Sequence, residues 1–177
     1  MKTKRIADFI IEYIYSHGTD TIFTITGGGA MYLNDAVALH KKMKVICNHH
    51  EEASAYGAGA YAVYSGKVGA CMLTSGPGCT NAVTGLLEAW QNSTPVIFIS
   101  SQAPRKYMGN GTTRGFGVQE MEIIPVVYSM TKYAGILENP EDVETYMDLC
   151  YEKMLGGRPG PVWLDIPMDV ANSLWTK

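Results

Sequence analysis

The feature that most constrains this chain is its regular alternation of short β-branched runs with helical segments. Ile6, Phe9, Ile10, Tyr13 and Ile14 recur at helical spacing, and Gly18 follows where a C-terminal cap belongs. TIFTIT (residues 21–26) then reads as a buried strand, residues 31–41 as a helix and KVIC (44–47) as a second strand. A small-residue helix starts at Glu51, a strand is expected at 68–74, a helix at 80–90 and a strand at 95–100. Strands at 132–137 and 161–166 flank a helix over about 141–155, and residues 167–177 close the unit. Six short strands separated by helices call for crossover connections. The expected fold is therefore α/β, a three-layer α/β/α arrangement whose six-stranded parallel sheet is covered on both faces. The one long irregular stretch, Ser101 to Glu120, is of the length that carries function more often than accident.

Composition narrows the class. A length of 177 residues suits one domain, expected to span 1–177. Charged residues at 18% are too few for a disordered tail or a coiled coil. A net charge of -3 provides no basic footprint for nucleic acid. No apolar run approaches the ~20 residues of a membrane helix. Asp8 and Glu12 interrupt the basic start, so no targeting segment is read and a cytoplasmic location is expected. Cys47, Cys71, Cys79 and Cys150 lack CxxC spacing and read as buried thiols of a reducing compartment. The 19 Gly, 11 Tyr and 10 Met, set against so few charges, point to surfaces that want a partner.

In open parallel sheets ligands bind at the carboxyl ends of the strands. Four segments should meet there: TGGGA (26–30), NHHEE (48–52), TSGPGCTN (74–81) and the loop after Ser100. Gly27-x-Gly29 follows a strand, and Glu51 lies near the place of a ribose-binding acid, but Tyr32 fills the third glycine position of a dinucleotide fingerprint. TSGPGCTN fails the same test at Asn81, and neither GxxxxGK[ST] nor GxSxG occurs. Glu51 and Glu52 differ by ~100° around a helix, so one of them can face the ligand edge. Both could equally be solvated acids at a helix N-terminus. His49 and His50 have no third ligand nearby, so no metal site is expected. The Ala- and Gly-rich helix after them needs a packing reason, because each helical Gly costs ~1 kcal/mol relative to Ala. Its close neighbour is either the sheet beneath or a second subunit.

Taken together the segments resemble the N-terminal, pyrimidine-binding domain of thiamine diphosphate enzymes, most closely the acetolactate synthase and 2-oxo acid carboligase branch. The matching pieces are TGGGAMYLND from Thr26, HHEEASAYGAGAYAVYSGK from His49 and TSGPGCTNAVTGLLEAWQNSTPVIFISS from Thr74. Gln119-Glu120, Thr131-Lys132 and GRPGPVWLDIPMDV from Gly157 complete the set, in family order over nearly the whole chain. The resemblance implies the thiamine diphosphate-binding fold and one catalytic residue, Glu51, whose carboxyl group hydrogen-bonds N1′ of the aminopyrimidine. That bond favours the imino tautomer, whose 4′ nitrogen removes the thiazolium C2 proton. The cofactor carries the carbanion chemistry while the protein tunes and positions it. A carboxyl in an apolar pocket keeps its proton more readily, which suits the exchange.

Further roles follow from the same resemblance. Pro77 and Asn81 match positions that lie against the pyrimidine ring, and Gly28 and Gly29 match the turn near the reactive carbon, where a side chain would obstruct the substrate. Gln119 matches the glutamine that points toward C2. Val118 stands where synthases commonly have an aromatic, with Phe116 two places earlier, which bears on the substrate pocket. No GDG and no NN occurs, so Mg²⁺ and the diphosphate are expected on a diphosphate-binding domain or subunit outside this chain. The middle domain that in several relatives binds a flavin is likewise expected outside this chain, which leaves FAD to a full enzyme. The expected partners are that diphosphate domain, a second copy through the Gly/Ala-rich helix, and a 2-oxo acid. The chain is then the pyrimidine half of a larger carboligase or decarboxylase. The alternatives are a natural small subunit of a split 2-oxo acid decarboxylase and a non-catalytic partner module of the same fold. The isolated chain should bind thiamine diphosphate weakly or not at all.

Overall fold

The computed structural model describes residues 3–109 and 111–176, so Asn110 of the long loop and Lys177 at the close of the unit lie outside the described residues. In chain order the main elements are β1 (Thr3–Arg5), α1 (Ile6–Ser16), β2 (Thr21–Thr24), α2 (Met31–Leu39), β3 (Lys44–Cys47), α3 (Glu51–Ser65), β4 (Gly69–Leu73), α4 (Pro77–Asn81), α5 (Val83–Gln91) and β5 (Val96–Gln102). There follow α6 (Ile123–Val127), β6 (Tyr133–Ile136), α7 (Val143–Leu155), β7 (Val162–Pro167), α8 (Met168–Asn172) and β8 (Leu174–Thr176). Six strands form one sheet in the order β3-β2-β4-β5-β7-β6, and every pair is parallel. The expected three-layer α/β/α fold is what the chain adopts.

The central strands read as continuous apolar runs because both faces are buried. Their residues alternate between two cores. Ala70, Met72, Ile97, Ile99, Val162 and Leu164 face the core built with Ile6, Ile10, Ile14, Leu33 and Met147 of α1, α2 and α7. Cys71, Leu73, Val96, Phe98 and Trp163 face the core built with Ala55, Ala58, Leu86 and Ala89 of α3 and α5. Phe98 and Trp163 sit opposite each other in register and stack with ring centroids 5.1 Å apart.

The small residues of α3 have their reason inside the chain. A Cβ on Gly85 of α5 would come 2.5 Å from the Ala55 Cβ, and one on Gly57 would come 2.6 Å from the Phe23 ring. Gly69 of β4 abuts the Ala58 carbonyl. The helix therefore lies unusually close to α5 and the sheet, and bulkier residues would lift it off. Its other side exposes Ala53, Tyr56, Ala60, Val63 and Tyr64.

Several local expectations need correction. The sheet is not covered on both faces at its β3 edge, where all four residues are exposed, because α3 packs over β2 and β4 while α2 packs on α1 and α8. The helix expected at 80–90 is two helices, α4 beginning at Pro77 and α5 following the break at Ala82. Cys71, Cys79 and Cys150 are buried thiols as expected, whereas Cys47 on the edge strand is exposed. β1 and β8 pair antiparallel as a separate two-stranded ribbon, and α6 and α8 add short helical turns. None of these was expected.

Candidate active site

Strands β2 and β4 are neighbours whose onward connections leave to opposite sides of the sheet, β2 toward β3 and β4 toward β5. A crevice must open at the carboxyl ends of such a pair. The loops after both strands meet there. A Cβ on Gly27 would lie 2.5 Å from the Thr74 side chain, so only a glycine lets the two loops touch. Gly29 packs as tightly: a Cβ there would lie 2.6 Å from Ser75 Oγ, 3.0 Å from Ser101 Oγ and 3.1 Å from Thr74 Oγ1. Thr74 Oγ1 and Ser101 Oγ are buried and have no hydrogen-bond partner among the described residues. Gly28 differs from both, since nothing lies within 4 Å of where its Cβ would be.

Glu51 is placed by the start of α3. The Asn48 N–H donates to the Thr24 carbonyl at 3.0 Å, which extends the chain beyond β3 along β2. The Glu52 N–H donates to His50 Nδ1 at 3.2 Å, so His50 caps the helix and Glu51 becomes its first residue. From there the Glu51 carboxylate reaches the second loop. Asn81 Nδ2 donates to Glu51 Oε2 at 2.9 Å, and a Cβ on Gly78 would lie 3.5 Å from Oε1. Gly78 and Asn81 are three apart on α4, which puts them on one face of the helix. Pro77 opens that helix, where its missing N–H is no loss.

Two thiols stand behind this carboxylate. Burial pushes Cys71 and Cys79 far above the ordinary thiol range, and the Glu51 charge adds to the effect at both. Cys79 also donates to the Thr74 carbonyl at 3.1 Å. Both therefore remain neutral packing groups behind Glu51.

Beside the crevice lies a cavity of about 510 Å³. Gly28, Gly29 and Ser75 form one wall, and Phe116, Gly117, Val118 and Gln119 of the long loop form the wall facing it. No charged side chain lines it among the described residues. The nearby cations are engaged elsewhere: Arg105 binds Asp169 at 2.8 Å, and the Lys106 ammonium sits 4.5 Å from the centre of the Tyr107 ring. Gln119 adopts a left-handed backbone conformation with φ 56°. Its carbonyl lies against Gly76, itself at φ 62°, and a Cβ there would meet that oxygen at 2.7 Å.

The residues singled out from sequence thus fall into two adjoining groups. Glu51, Asn81 and the Pro77 turn make one, and Gly28, Gly29 and Gln119 wall the cavity that makes the other. The segment Thr74–Ser75–Gly76 touches both. Val118 and Phe116 both line the cavity, 89% and 63% exposed respectively.

Two features of the site lay beyond sequence reasoning. The first is a buried polar network beneath the long loop. Ser100 Oγ donates to Asp165 Oδ1 at 2.5 Å and accepts from Trp163 Nε1 at 2.8 Å. Gln102 Nε2 donates to Asp165 Oδ2 at 3.2 Å and to the Met121 carbonyl at 2.5 Å, while its Oε1 accepts from the Ala103 N–H at 2.8 Å. Gln102 so ties together the two ends of the loop. Burial raises the Asp165 carboxyl to about 6, against the hydrogen bonds from Ser100 and Gln102. The second feature is Glu120, whose carboxylate accepts the backbone N–H groups of Gly109, Phe116 and Gly117. The only sequence signal for either was an acid inside an apolar strand and an acid after the loop glutamine.

Residues 4–126 match the family described as thiamine pyrophosphate enzyme, N-terminal TPP binding domain. The chain is 35% identical over 168 residues to the chloroplastic acetolactate synthase of Arabidopsis thaliana, covering 95% of this chain and 24% of that protein. It is 37% identical over 164 residues to the acetolactate synthase large subunit of Parasynechococcus marenigrum, covering 91% and 26%. A probable acetolactate synthase large subunit of Methanocaldococcus jannaschii is 35% identical over 164 residues, covering 93% and 27%. The chain spans about a quarter of the length of the curated relatives it matches.

Proposed function

From the premise that the chain belongs to the thiamine pyrophosphate enzymes, as their N-terminal TPP-binding domain, we propose that it is the pyrimidine-binding half of an acetolactate synthase-like 2-oxo acid carboligase or decarboxylase. The observation that carries this reading is the Glu51 carboxylate, held by Asn81 at the switch-point crevice beside an uncharged cavity. The residues present fit the cofactor: a carboxyl group whose Oε1 has no side-chain donor among the described residues, the exposed Pro77 at the start of α4, and open space over Gly28.

When bound, thiamine diphosphate supplies a carbanion at its thiazolium C2 and an electron sink for the decarboxylated substrate. Glu51 shares a proton with N1′ of the aminopyrimidine, as general acid and base in turn. Asn81 fixes one carboxylate oxygen and leaves the other for the ring. Pro77, exposed at the start of α4, and Asn81 lie against the pyrimidine ring. Gly28 keeps the approach to the reactive carbon clear, Gly29 holds that turn down on Ser75, and Gln119 faces the substrate from the loop. Mg²⁺ and the diphosphate belong on a diphosphate-binding domain supplied elsewhere, and a flavin, where the full enzyme has one, on a further domain.

The exposed side of α3 supports assembly into a homodimer, because Val63 and Tyr64 are 74% and 94% exposed on a helix whose opposite side is packed against α5 and the sheet. A 2-oxo acid is the substrate class, and a cytoplasmic enzyme is the reading consistent with three buried thiols. The test is Glu51→Gln in the assembled enzyme. C2 proton exchange should be lost; a non-catalytic partner module predicts no change in any activity.

A further inference from the structure

We propose that Glu120 is the positioning residue of the site: it clasps the long loop into the one shape that presents Gln119 and Phe116 to the cavity. The proposal rests on the reading that this cavity receives the substrate, and it adds a residue for which that reading had no use.

The geometry is local and specific. One carboxylate oxygen accepts the Gly109 N–H and the other accepts both Phe116 and Gly117, the latter at 3.1 Å. These donors lie eleven, four and three residues before Glu120 in the chain. A single side chain thus draws the loop into a ring. A carboxylate suits the task because it accepts several N–H groups at once, and each such charge-assisted bond is about twice as strong as a neutral one. The bonds hold the Glu120 carboxyl below the ordinary carboxylate range.

The ring determines what reaches the cavity. Phe116 and Gly117, whose amides are held, are themselves wall residues, and Val118 and Gln119 complete the wall before the chain returns to Glu120. Gly117 is pressed against Ala103, where a Cβ would come within 2.7 Å of the Ala103 Cβ. Gln119 has to turn left-handed, at φ 56°, to fit between the clasp and Gly76. A non-glycine residue persists in that conformation only where its surroundings over-determine it. Gln102 anchors the ends of the loop from below, and Glu120 sets the shape of its upper part.

Glutamine cannot replace the clasp, because its amide nitrogen would face backbone N–H groups where the second oxygen now accepts. Two measurements on Glu120→Gln test the proposal. In the isolated chain, the Gly109, Phe116 and Gly117 amide protons should resonate downfield in wild type and move upfield in the variant. The ¹⁵N heteronuclear NOE of Gln119 should fall, and tryptic cleavage after the exposed Arg114 should quicken at least tenfold. In the enzyme assembled with a diphosphate-binding partner, pyruvate turnover should fall at least tenfold, while the C2 proton exchange assigned to Glu51 stays within twofold.

Unchanged amide shifts and an unchanged cleavage rate would overturn the clasp. An equal fall in C2 exchange and turnover would overturn the positioning role, since it would mark a general collapse of the site. Failure of the cofactor reading has a different signature, namely C2 exchange that survives Glu51→Gln. Should Glu120→Gln not fold, the wild-type chain serves alone. On acidification the three amides must titrate together, with one midpoint below that of an ordinary glutamate, and three independent midpoints would overturn the proposal. The other ionisable groups around the clasp are Arg114 and Glu122 in the same groove and Lys106 beside Gly109.

Discussion

The side-chain amide of Asn81 donates to Oε2 of Glu51 at 2.9 Å, joining the first residue of α3 to the last residue of α4. Oε2 is thereby occupied, and Oε1 lies against Gly78. A hydrogen bond to a charged partner contributes ~1.5–3 kcal/mol, which is about one to two orders of magnitude in rate where it steadies a catalytic group. Asn81→Ala should therefore lower C2 proton exchange by about 10- to 100-fold in the assembled enzyme, with Glu51 still in place. Exchange followed by proton NMR of the cofactor in D₂O measures this.

The glycines of the first loop separate packing from access. Gly29→Ala must push a Cβ into Ser75 and Ser101, and such overpacking costs ~1–3 kcal/mol. Gly28→Ala meets nothing and should leave the thermal midpoint unchanged. In the assembled enzyme the same substitution should lower turnover, because the added methyl group enters the cavity. Thermal unfolding of both variants, with pyruvate turnover of the second, checks the pair.

Asp165 predicts an unusual pH dependence. Its folded-state value is raised to about 6 from an ordinary 3.8, so the folded state holds a proton that the unfolded chain has released. The contribution is fully present below pH ~4 and is lost as pH rises to ~6, on the order of 3 kcal/mol in all. Glu120 and Asp169 act in the opposite direction, since their depressed values make folding less stable as pH falls. The difference between wild type and Asp165→Asn isolates the buried group. Urea unfolding from pH 4 to pH 7 should show the variant gaining on wild type as pH rises, and a constant difference would contradict the assignment.

Cofactor affinity should reside largely outside this chain. On the proposed reading Glu51, Asn81 and the Pro77 turn contact only the pyrimidine, and no described group of three or more His, Cys, Asp or Glu residues could hold the metal that accompanies a diphosphate. Titration calorimetry of the isolated chain with thiamine diphosphate and Mg²⁺ should give at best a dissociation constant well above the micromolar range. A submicromolar value would show that this chain holds the diphosphate itself.

The sheet was legible in the sequence because the central parallel strands, buried on both faces, carry continuous apolar runs such as ACML (70–73) and VIFI (96–99). The turns at Gly27–Gly29 and Thr74–Asn81 were legible for a related reason, since a backbone pressed against the side chains of a neighbouring loop demands glycine, and Gly27 against the Thr74 side chain leaves no room for anything else. What escaped depended on pairing across long distances or on backbone donors. Thr3–Arg5 has no periodicity of its own and is a strand only because Leu174–Thr176 lies beside it. Asp165 looks like an isolated polar residue until Ser100 and Gln102 are brought beneath it by the β5–β7 register. Glu120 was visible as half of a motif, but its partners are three amides that no residue type announces. The packing reason for the Ala- and Gly-rich helix lies in α5 and the sheet, while its exposed side leaves room for the proposed second copy.

Activation of the cofactor by Glu51 through N1′ is read from the rate of C2 hydrogen–deuterium exchange of thiamine diphosphate in the assembled enzyme. Glu51→Gln should lower that rate by at least 100-fold while the thermal midpoint of the variant stays within a few degrees of wild type. Exchange at the wild-type rate in a folded Glu51→Gln enzyme would contradict it.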